Sequence, residues 1–275
     1  MRKVCLKSFI RSIFFNHLKY PRSAQMKEFI FKVLLLVCAI GIWEVLTLFG
    51  LKGTKFPTPL DVSRALIDSI STGTLFVDII TSVSRTLVGF LFAAVIGNLL
   101  GIGLAYFKRW ARYSVFFIEM FRPIPPIAWI PLAILWFNIG NRPAYFIVFL
   151  GAFFPIFSSA FTAVKSVESL YVDAAKSLGA NTKVLIKDIL IPIALPHLLS
   201  GLKSGLGIGW MCVVTAELVG AQSGLGYMIQ LNRTMLQTNY VVAGMFVIGL
   251  VGLCMNWFMT WIQSLLTPWT RIHSI

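Results

Sequence analysis

Residues 171–192 read YVDAAKSLGANTKVLIKDILIP and lie between two long apolar segments of the chain. Five of the side chains in this stretch are charged, namely Asp173, Lys176, Lys183, Lys187 and Asp188. Gly179 suits the left-handed residue that ends a helix, and Asn181 or Thr182 can cap a second helix. The stretch therefore predicts a helix, a turn and a second helix that project into water between two membrane-embedded segments.

The whole composition is that of a polytopic membrane protein. Hydrophobic residues make up 57% and charged residues 12% of the 275 residues, whereas charged residues are about 25% of soluble domains. The mean hydropathy is +0.83. We therefore expect an all-α polytopic membrane fold with about six transmembrane helices, at about 20 apolar residues for each crossing. The candidate spans are Phe29–Phe49, Leu87–Phe107, Ile124–Ile139, Pro143–Val164, Leu198–Val219 and Val241–Leu266.

Prolines are expected to interrupt the third candidate span and to end the 171–192 stretch. The third candidate span begins within RPIPPIAWIP (residues 122–131), which contains four prolines. Proline removes a backbone donor and breaks a helix, so this segment is the weakest candidate and needs protein or water around it at membrane depth. For the same reason, Pro192 and Pro196 are expected to end the second helix of the 171–192 stretch before the fifth span begins.

Basic residues are distributed unequally between the two sides of the membrane. Lys and Arg concentrate before the first span, between the second and third spans, and between the fourth and fifth. Because the more basic side is cytoplasmic, both termini and the loop at 165–196 are predicted to be cytoplasmic. The chain then divides into a basic tail (1–28), a membrane domain (29–266) and a short tail (267–275). Within the first tail, Val4–Leu18 is either an amphipathic interfacial helix or a disordered stretch that only sets topology.

The longest outer connection carries helix signals of its own. Residues 56–70 read FPTPLDVSRALIDSI. Thr58 can cap a helix that has Pro59 at its first position. Gly73 is expected to end this short surface helix.

The sequence holds no pattern of an enzyme or a metal site. It contains no GxxxxGK[ST] phosphate loop, no HExxH and no GxSxG, so the chain is not expected to hydrolyse ATP or to act as an enzyme. Its four cysteines and three histidines lie far apart, so neither a disulfide framework nor a metal or other cofactor is expected. The net charge of +14 sits mainly beside the apolar spans, which indicates contact with anionic membrane lipid and not with nucleic acid.

The spacing in the 171–192 stretch resembles the cytoplasmic loop of binding-protein-dependent ABC importer permeases, written EAA-x3-G-x9-I-x-L-P. The matching residues here are Asp173, Ala174, Ala175, Gly179, Ile189, Ile191 and Pro192. Asp thus replaces Glu and Ile replaces Leu. Four other segments, FPTPLDV, SVSRTLVGF, RPIPPIAWIPLAILWFNIG and AELVGAQSGLGYMI, are similar to the type I permeases that import nitrate, sulfonates, taurine or thiamine precursors. The resemblance covers most of the chain from Trp43 to Tyr227.

This resemblance implies a type I ABC importer transmembrane fold in the plasma (inner) membrane of a bacterium. It also implies three partners: a second copy of the chain, a separate ABC ATPase subunit and an extracytoplasmic solute-binding protein. The ATPase would hydrolyse ATP to drive alternating access for a small solute, so the chain itself performs no chemistry. The loop residues that would dock on the ATPase are Asp173, Ala174, Ala175, Ser177, Leu178 and Gly179.

Glu217 is the main candidate for a residue of the solute pathway. It lies in the fifth span on the same helical face as Trp210, with Thr215 between them. A charged side chain near the bilayer centre costs about 2.5–3.5 kcal/mol, so it should face a pathway, form a pair or lie near the interface. Either these three residues line the pathway, or Glu217 marks the outer boundary and pairs with a backbone group or a lysine. A secondary transporter that uses Glu217 for ion or proton coupling is the alternative function.

Two other features of the spans have structural interpretations. Gly201, Gly205 and Gly209 form a GxxxGxxxG run, which predicts close packing against another helix. Arg122 follows Glu119 at helical spacing, which predicts an ion pair. Contact of Arg122 with an anionic solute is the other interpretation.

Overall fold

The structure, a computed structural model, describes residues 22–47, 56–106, 115–116, 118–167, 169–181 and 184–269. The predicted amphipathic segment Val4–Leu18 lies outside these residues. The described part of the chain is helical and contains no β-strand. This part of the chain divides into two compact units, with the boundary between Arg64 and Ala65.

The helices follow one another closely along the chain. The α-helices are α1 (Arg22–Val45), α2 (Pro59–Ser71), α3 (Thr74–Tyr106), α4 (Ile130–Phe137), α5 (Asn141–Lys165), α6 (Ser169–Ser177), α7 (Ile191–Gly220), α8 (Leu225–Thr234) and α9 (Thr238–Leu266). A 3-10 turn, Pro126–Trp129, precedes α4, and a π-helical segment, Leu185–Leu190, leads into α7.

Four helical segments are long and apolar enough to cross a membrane in the described part of the chain. They are α3, α5, α9 and the continuous helix Lys187–Gly220, which includes α7. Two shorter apolar helices, Val33–Val45 and Pro126–Phe137, fall within the first and third predicted spans. The all-α polytopic fold is therefore confirmed.

The third predicted span, Ile124–Ile139, is not one spanning helix. Its prolines divide it into the 3-10 turn and the eight-residue helix α4. Pro126 and Pro131 each lie at the first turn of a helical segment, where a missing N–H has no intrahelical partner to lose. The prolines thus start two short helices instead of one long one.

The prediction that Pro192 and Pro196 separate the loop from the fifth span is wrong. Pro192 lies in the first turn of α7 and Pro196 lies inside the helix, which continues to Gly220. A proline is tolerated at membrane depth when a neighbouring helix satisfies the carbonyl groups it disturbs. Here α7 packs along α5, and the hydroxyl of Ser159 on α5 donates a 2.6 Å hydrogen bond to the carbonyl of His197 on α7.

The short outer helix α2 forms as predicted. The hydroxyl of Thr58 accepts a 3.2 Å hydrogen bond from the N–H of Asp61, and the Asp61 carboxylate accepts one of 3.3 Å from the N–H of Thr58. These reciprocal bonds form a capping box. Gly73 follows the helix with a φ of +74°, and such an angle favours glycine.

Helix α5 is central to the second unit, because it packs against both α3 and α7. Glycines on α7 and α3 form these contacts. A Cβ atom on Gly205 would lie 2.7 Å from Cγ1 of Ile156, and one on Gly209 would lie 3.3 Å from Cγ1 of Val148. On α3, a Cβ atom on Gly101 would lie 2.8 Å from the carbonyl oxygen of Phe157. The predicted close packing of the glycine run is confirmed.

Two glycines of α7 provide a matched test of this packing. Gly205→Ala should lower the free energy of unfolding by about 1–3 kcal/mol, because the added methyl group overpacks the contact with Ile156. A Cβ atom on Gly207 would have nothing within 4 Å, so Gly207→Ala should be neutral or stabilise the helix by up to about 1 kcal/mol. Thermal unfolding of both purified variants in detergent measures the difference, and equal unfolding temperatures would contradict the packing.

Candidate functional site

The loop between α5 and α7 has the predicted helix–turn–helix geometry. Helix α6 ends in a Schellman motif. The N–H of Ala180 donates a 3.0 Å hydrogen bond to the carbonyl of Ala175, and the N–H of Gly179 donates one of 2.9 Å to the carbonyl of Lys176. Gly179 has a φ of +80°. After the turn, the side chain of Asn181 accepts a 2.9 Å hydrogen bond from the N–H of Val184 and caps the next helical segment.

The predicted docking residues form the outer surface of this loop. Asp173, Ala174, Ser177, Leu178 and Gly179 are exposed. Ala175 is buried, on the side of α6 that faces into the loop. The Leu178 side chain is 89% exposed, and a Cβ atom on Gly179 would have nothing within 4 Å. The apex of the loop therefore presents an apolar side chain and an open glycine surface to whatever lies next to it.

A second cluster of polar and charged side chains surrounds Glu217, at the other end of α7. Both Arg85 of α3 and Glu217 are buried, and Nη1 of Arg85 lies 2.8 Å from Oε1 of Glu217. The remaining N–H groups of Arg85 donate to the side chain of Asn141 and to the carbonyl and hydroxyl oxygens of Ser223, at 2.6–2.9 Å. The guanidinium group thus has partners for all five of its donors.

The Glu217 carboxylate also binds the start of α8. It accepts a hydrogen bond of 2.8–2.9 Å from the hydroxyl of Ser82 and one of 3.0 Å from the N–H of Gly226. The hydroxyl of Ser82 in turn accepts a 2.9 Å hydrogen bond from the N–H of Leu225. The first N–H groups of a helix lack intrahelical partners, and an anion near them is stabilising. The pair therefore joins α3, α5, α7 and the beginning of α8.

Glycines allow this close approach. Gly224 has a φ of +103°, and a Cβ atom there would collide with the carboxylate of Glu217. A Cβ atom on Gly226 would lie 2.6 Å from Cβ of Glu217. The N–H of Gly224 donates a 2.8 Å hydrogen bond to Asp78 of α3. The backbone of residues 223–226, which read SGLG, thus lies directly against the carboxylate of Glu217.

The three predicted pathway residues do not share one open surface within the chain. Glu217 is 1% exposed and Trp210 is 6% exposed, and Nε1 of Trp210 donates a 3.1 Å hydrogen bond to the carbonyl of Ile248. Thr215 is half-buried and donates back to the carbonyl of Met211 at 2.9 Å. This geometry favours the interpretation in which Glu217 forms a pair, with an arginine and backbone groups as its partners.

Sequence reasoning missed Arg85, Ser82 and Asn141. The second span was expected to begin at Leu87, which left Arg85 outside the membrane segment, but α3 begins at Thr74. An arginine inside an apolar span needs an anionic partner, and Glu217 is the one acidic residue in the sequence of α7. An earlier start for α3 would therefore have pointed to this pair. Among the described residues, no group of three or more His, Cys, Asp or Glu side chains could hold a metal.

Comparisons with known proteins agree with this architecture. The sequence model of the family described as "Binding-protein-dependent transport system inner membrane component" matches residues 97–272. A putative ABC transporter permease of Methanocaldococcus jannaschii is 36% identical over 90% of this chain and 94% of its own length. The taurine transport system permease protein TauC of Escherichia coli is 34% identical, over 82% of this chain and 84% of its own length. The putative aliphatic sulfonates transport permease protein SsuC of Bacillus subtilis is also 34% identical, over 88% of each chain.

Solved structures share the fold. A chain of the MetNI methionine ABC transporter, in an inward-facing native crystal form, superposes with a TM-score of 0.63 at 19% sequence identity. The match covers 72% of this chain and 98% of that one. The extent of the family match, the relatives above 30% identity and the shared helical fold lead to one conclusion. This chain belongs to the family of binding-protein-dependent transport system inner membrane components, the permeases of type I ABC importers.

Proposed function

We propose that this chain forms the membrane pathway of an ATP-driven importer and couples to a separate ATPase through the loop at 169–181. The observation that carries the proposal is the apex of that loop. A Schellman turn holds Gly179, which has open space on its outer side, and the adjacent Leu178 side chain is 89% exposed. An exposed apolar side chain on a capped turn suits the apolar core of a protein–protein contact.

The proposed assembly contains two copies of this chain, two ATPase subunits and a solute-binding protein outside the membrane. The loop lies on the cytoplasmic side in this arrangement, as the distribution of basic residues predicts. Closure of the ATPase pair on ATP moves the two loops together, and the attached helices open the pathway outward. Hydrolysis of ATP then returns the pathway to its inward-facing state. The chain contributes the pathway and the contact surface and no catalytic residue.

We propose a small solute of the sulfonate, taurine, nitrate or thiamine-precursor class as the substrate. The support is the similarity to permeases named for aliphatic sulfonates and taurine, and to the nitrate import permease protein NrtB of Synechococcus elongatus, which is 28% identical over 92% of this chain. Secondary transport through Glu217 has no comparable support. Its carboxylate is buried and occupied by Arg85, Ser82 and Gly226, which leaves no access for a transported ion or proton.

Leu178→Glu tests the contact surface directly. Because the wild-type side chain is 89% exposed, this substitution should change the free energy of unfolding by no more than about 0.5 kcal/mol. A charge placed in the apolar core of the proposed contact should nevertheless reduce the amount of ATPase that co-purifies from mild detergent at least about tenfold. Mass spectrometry of the purified complex identifies and quantifies the ATPase.

Met235→Glu is the matched control, because Met235 is also exposed, at 58%, but lies after α8, away from the loop. It should leave the recovery of ATPase at the wild-type level. If no ATPase with a phosphate loop accompanies the wild-type chain even with trapped nucleotide, the proposed function is wrong. If the ATPase accompanies Leu178→Glu as well as it accompanies the wild type, the contact lies elsewhere on the chain.

A further inference from the structure

A polar groove lies between α5 and α7, near the ends of these helices that connect to the loop. It has a volume of about 320 Å³, and its polar lining includes Arg122, Ser158, Thr162, His197, Ser200 and Ser204. We call this feature the polar groove. The outer faces of neighbouring helices differ sharply from it, since α3 and α9 expose large apolar side chains such as Leu99 and Leu253. A polar surface of this kind avoids lipid and faces water or another chain.

The hydroxyl groups of the polar groove are available to a ligand. Elsewhere in the helices, Thr81, Thr215 and Thr260 each donate to the carbonyl one turn earlier, at 2.7–2.9 Å. That local bond is how a hydroxyl group on a helix usually satisfies its donor. By contrast, no hydrogen bond joins the hydroxyl groups of four lining residues to any partner in the described part of the chain, namely Ser158, Thr162, Ser200 and Ser204. All four sit along two facing helices, two on α5 and two on α7.

Among the described residues, the polar groove carries the positive charge of Arg122 and no acidic side chain that pairs with it. The predicted side-chain pair of Arg122 and Glu119 does not occur among the described residues, where only the N–H of Arg122 bonds to the carbonyl of Glu119, at 3.2 Å. The Arg122 side chain is exposed. No carboxylate from the described residues lines the groove. Within the described residues, Arg122 thus has no counter-charge and lies beside four hydroxyl groups with no acceptor. This set is complementary to an oxyanion, because a guanidinium group and O–H groups can all donate to it.

We propose that the polar groove is a contact site for the transported solute and that it selects an oxyanion such as a sulfonate, with Arg122 as the counter-charge. This inference rests on the proposed function, and it narrows the substrate to the anionic members of the class. The one fixed hydroxyl of the site, Ser159, ties α5 to α7 through its bond to the carbonyl of His197. That bond and the close contact of Gly205 with Ile156 join the two hydroxyl-bearing helices.

Binding of a simple anion tests the proposal in the complete permease–ATPase complex. The complex is placed in nanodiscs of zwitterionic lipid, and binding of ethanesulfonate is followed by saturation-transfer NMR. The neutral isostere ethyl methyl sulfone serves as the matched probe. We expect saturable binding of ethanesulfonate that nitrate displaces and the sulfone does not. Arg122→Gln should weaken that binding at least about tenfold, since it removes a charge-assisted contact.

Two further variants keep the test independent of folding defects. The double variant Ser200→Ala with Ser204→Ala retains the charge and should weaken ethanesulfonate binding by about threefold. Arg233→Gln removes an exposed arginine of α8 and should bind ethanesulfonate as the wild type does. Equal binding by the wild type and Arg122→Gln, or equal displacement by the neutral sulfone, would overturn the proposal.

The anion could also be the headgroup of a lipid, which has the same oxygen chemistry. Nanodiscs that contain phosphatidylglycerol distinguish the two sources. A solute site keeps its affinity for ethanesulfonate in that lipid, whereas complete displacement by phosphatidylglycerol would identify a lipid site and overturn the solute proposal. The ATPase activity of the same nanodiscs distinguishes failure of the proposed anion site from failure of the proposed function. An active complex that binds no anion contradicts only the proposed anion site in the polar groove. A chain that never associates with an ATPase contradicts the proposed function.

Discussion

Glu217→Gln is expected to destabilise the protein severely. The substitution keeps the shape of the side chain but removes the charge opposite Arg85, whose guanidinium group is buried and 2.8 Å away. Loss of one partner from a buried ion pair costs about 3–5 kcal/mol, because the other charge stays buried without compensation. For a chain of this size, that cost corresponds to a fall of roughly 6–20 °C in the unfolding temperature. Tryptophan fluorescence during heating of the detergent-purified chain measures it.

Glu119→Gln provides the control for this experiment, because Glu119 is exposed. This variant should unfold at the wild-type temperature. The double variant Arg85→Gln with Glu217→Gln removes both charges and should recover part of the lost stability, as expected for two coupled residues. A wild-type unfolding temperature for Glu217→Gln would show that the pair contributes little. Loss of transport at unchanged stability would instead revive the interpretation of Glu217 as a coupling residue for ions or protons.

Gly179→Asp is expected to uncouple the permease from its ATPase. Gly179 has a φ of +80° and open space around it, so the substitution adds strain of about 1–2 kcal/mol within the chain. The larger effect falls on the partner, because a charged side chain would enter the proposed contact surface beside Leu178. We expect the rate of ATP-dependent uptake into proteoliposomes to fall about 100-fold, which corresponds to a loss of roughly 3 kcal/mol of interaction.

Gly73→Asp separates the effect of strain from the effect of the partner. Gly73 has a similar φ of +74° and also has nothing within 4 Å of a Cβ atom, but it follows α2 on the predicted outer side. This control should unfold at the same temperature as Gly179→Asp and should keep its uptake rate. If Gly73→Asp and Gly179→Asp lose uptake equally, backbone strain explains the loss and the loop has no special role in docking.

The features that sequence analysis predicted correctly depend on local signals. Gly179 and Asn181 determine the turn of the loop by their own backbone and side-chain preferences, and Thr58 with Asp61 determines the start of α2. The glycine run on α7 predicted close packing because spacing alone places its members on one face. Each of these signals consists of residues that lie within about one or two helical turns of one another in the sequence.

The features that were missed depend on partners far away in the sequence. Arg85 and Glu217 are separated by 132 residues, and neither residue indicates the other until α3 is seen to begin at Thr74. Pro196 was expected to break a helix because its intrinsic preference is strong. Packing of α7 against α5 outweighs that preference, because the helix continues through Pro196 to Gly220. Tertiary contacts of this kind leave no local pattern to find.

The continuous helix from Lys187 to Gly220 has the geometry of a lever. Its 34 residues make a rod about 50 Å long at 1.5 Å per residue. One end carries the capped loop, and the other carries Glu217, which is bonded to α3 and to the start of α8. For a rod of this length, a tilt of about 5° around its midpoint displaces each end by about 2 Å in opposite directions. On a rigid rod, a displacement of atomic size at the loop end therefore reappears, in the opposite direction, at the Glu217 end.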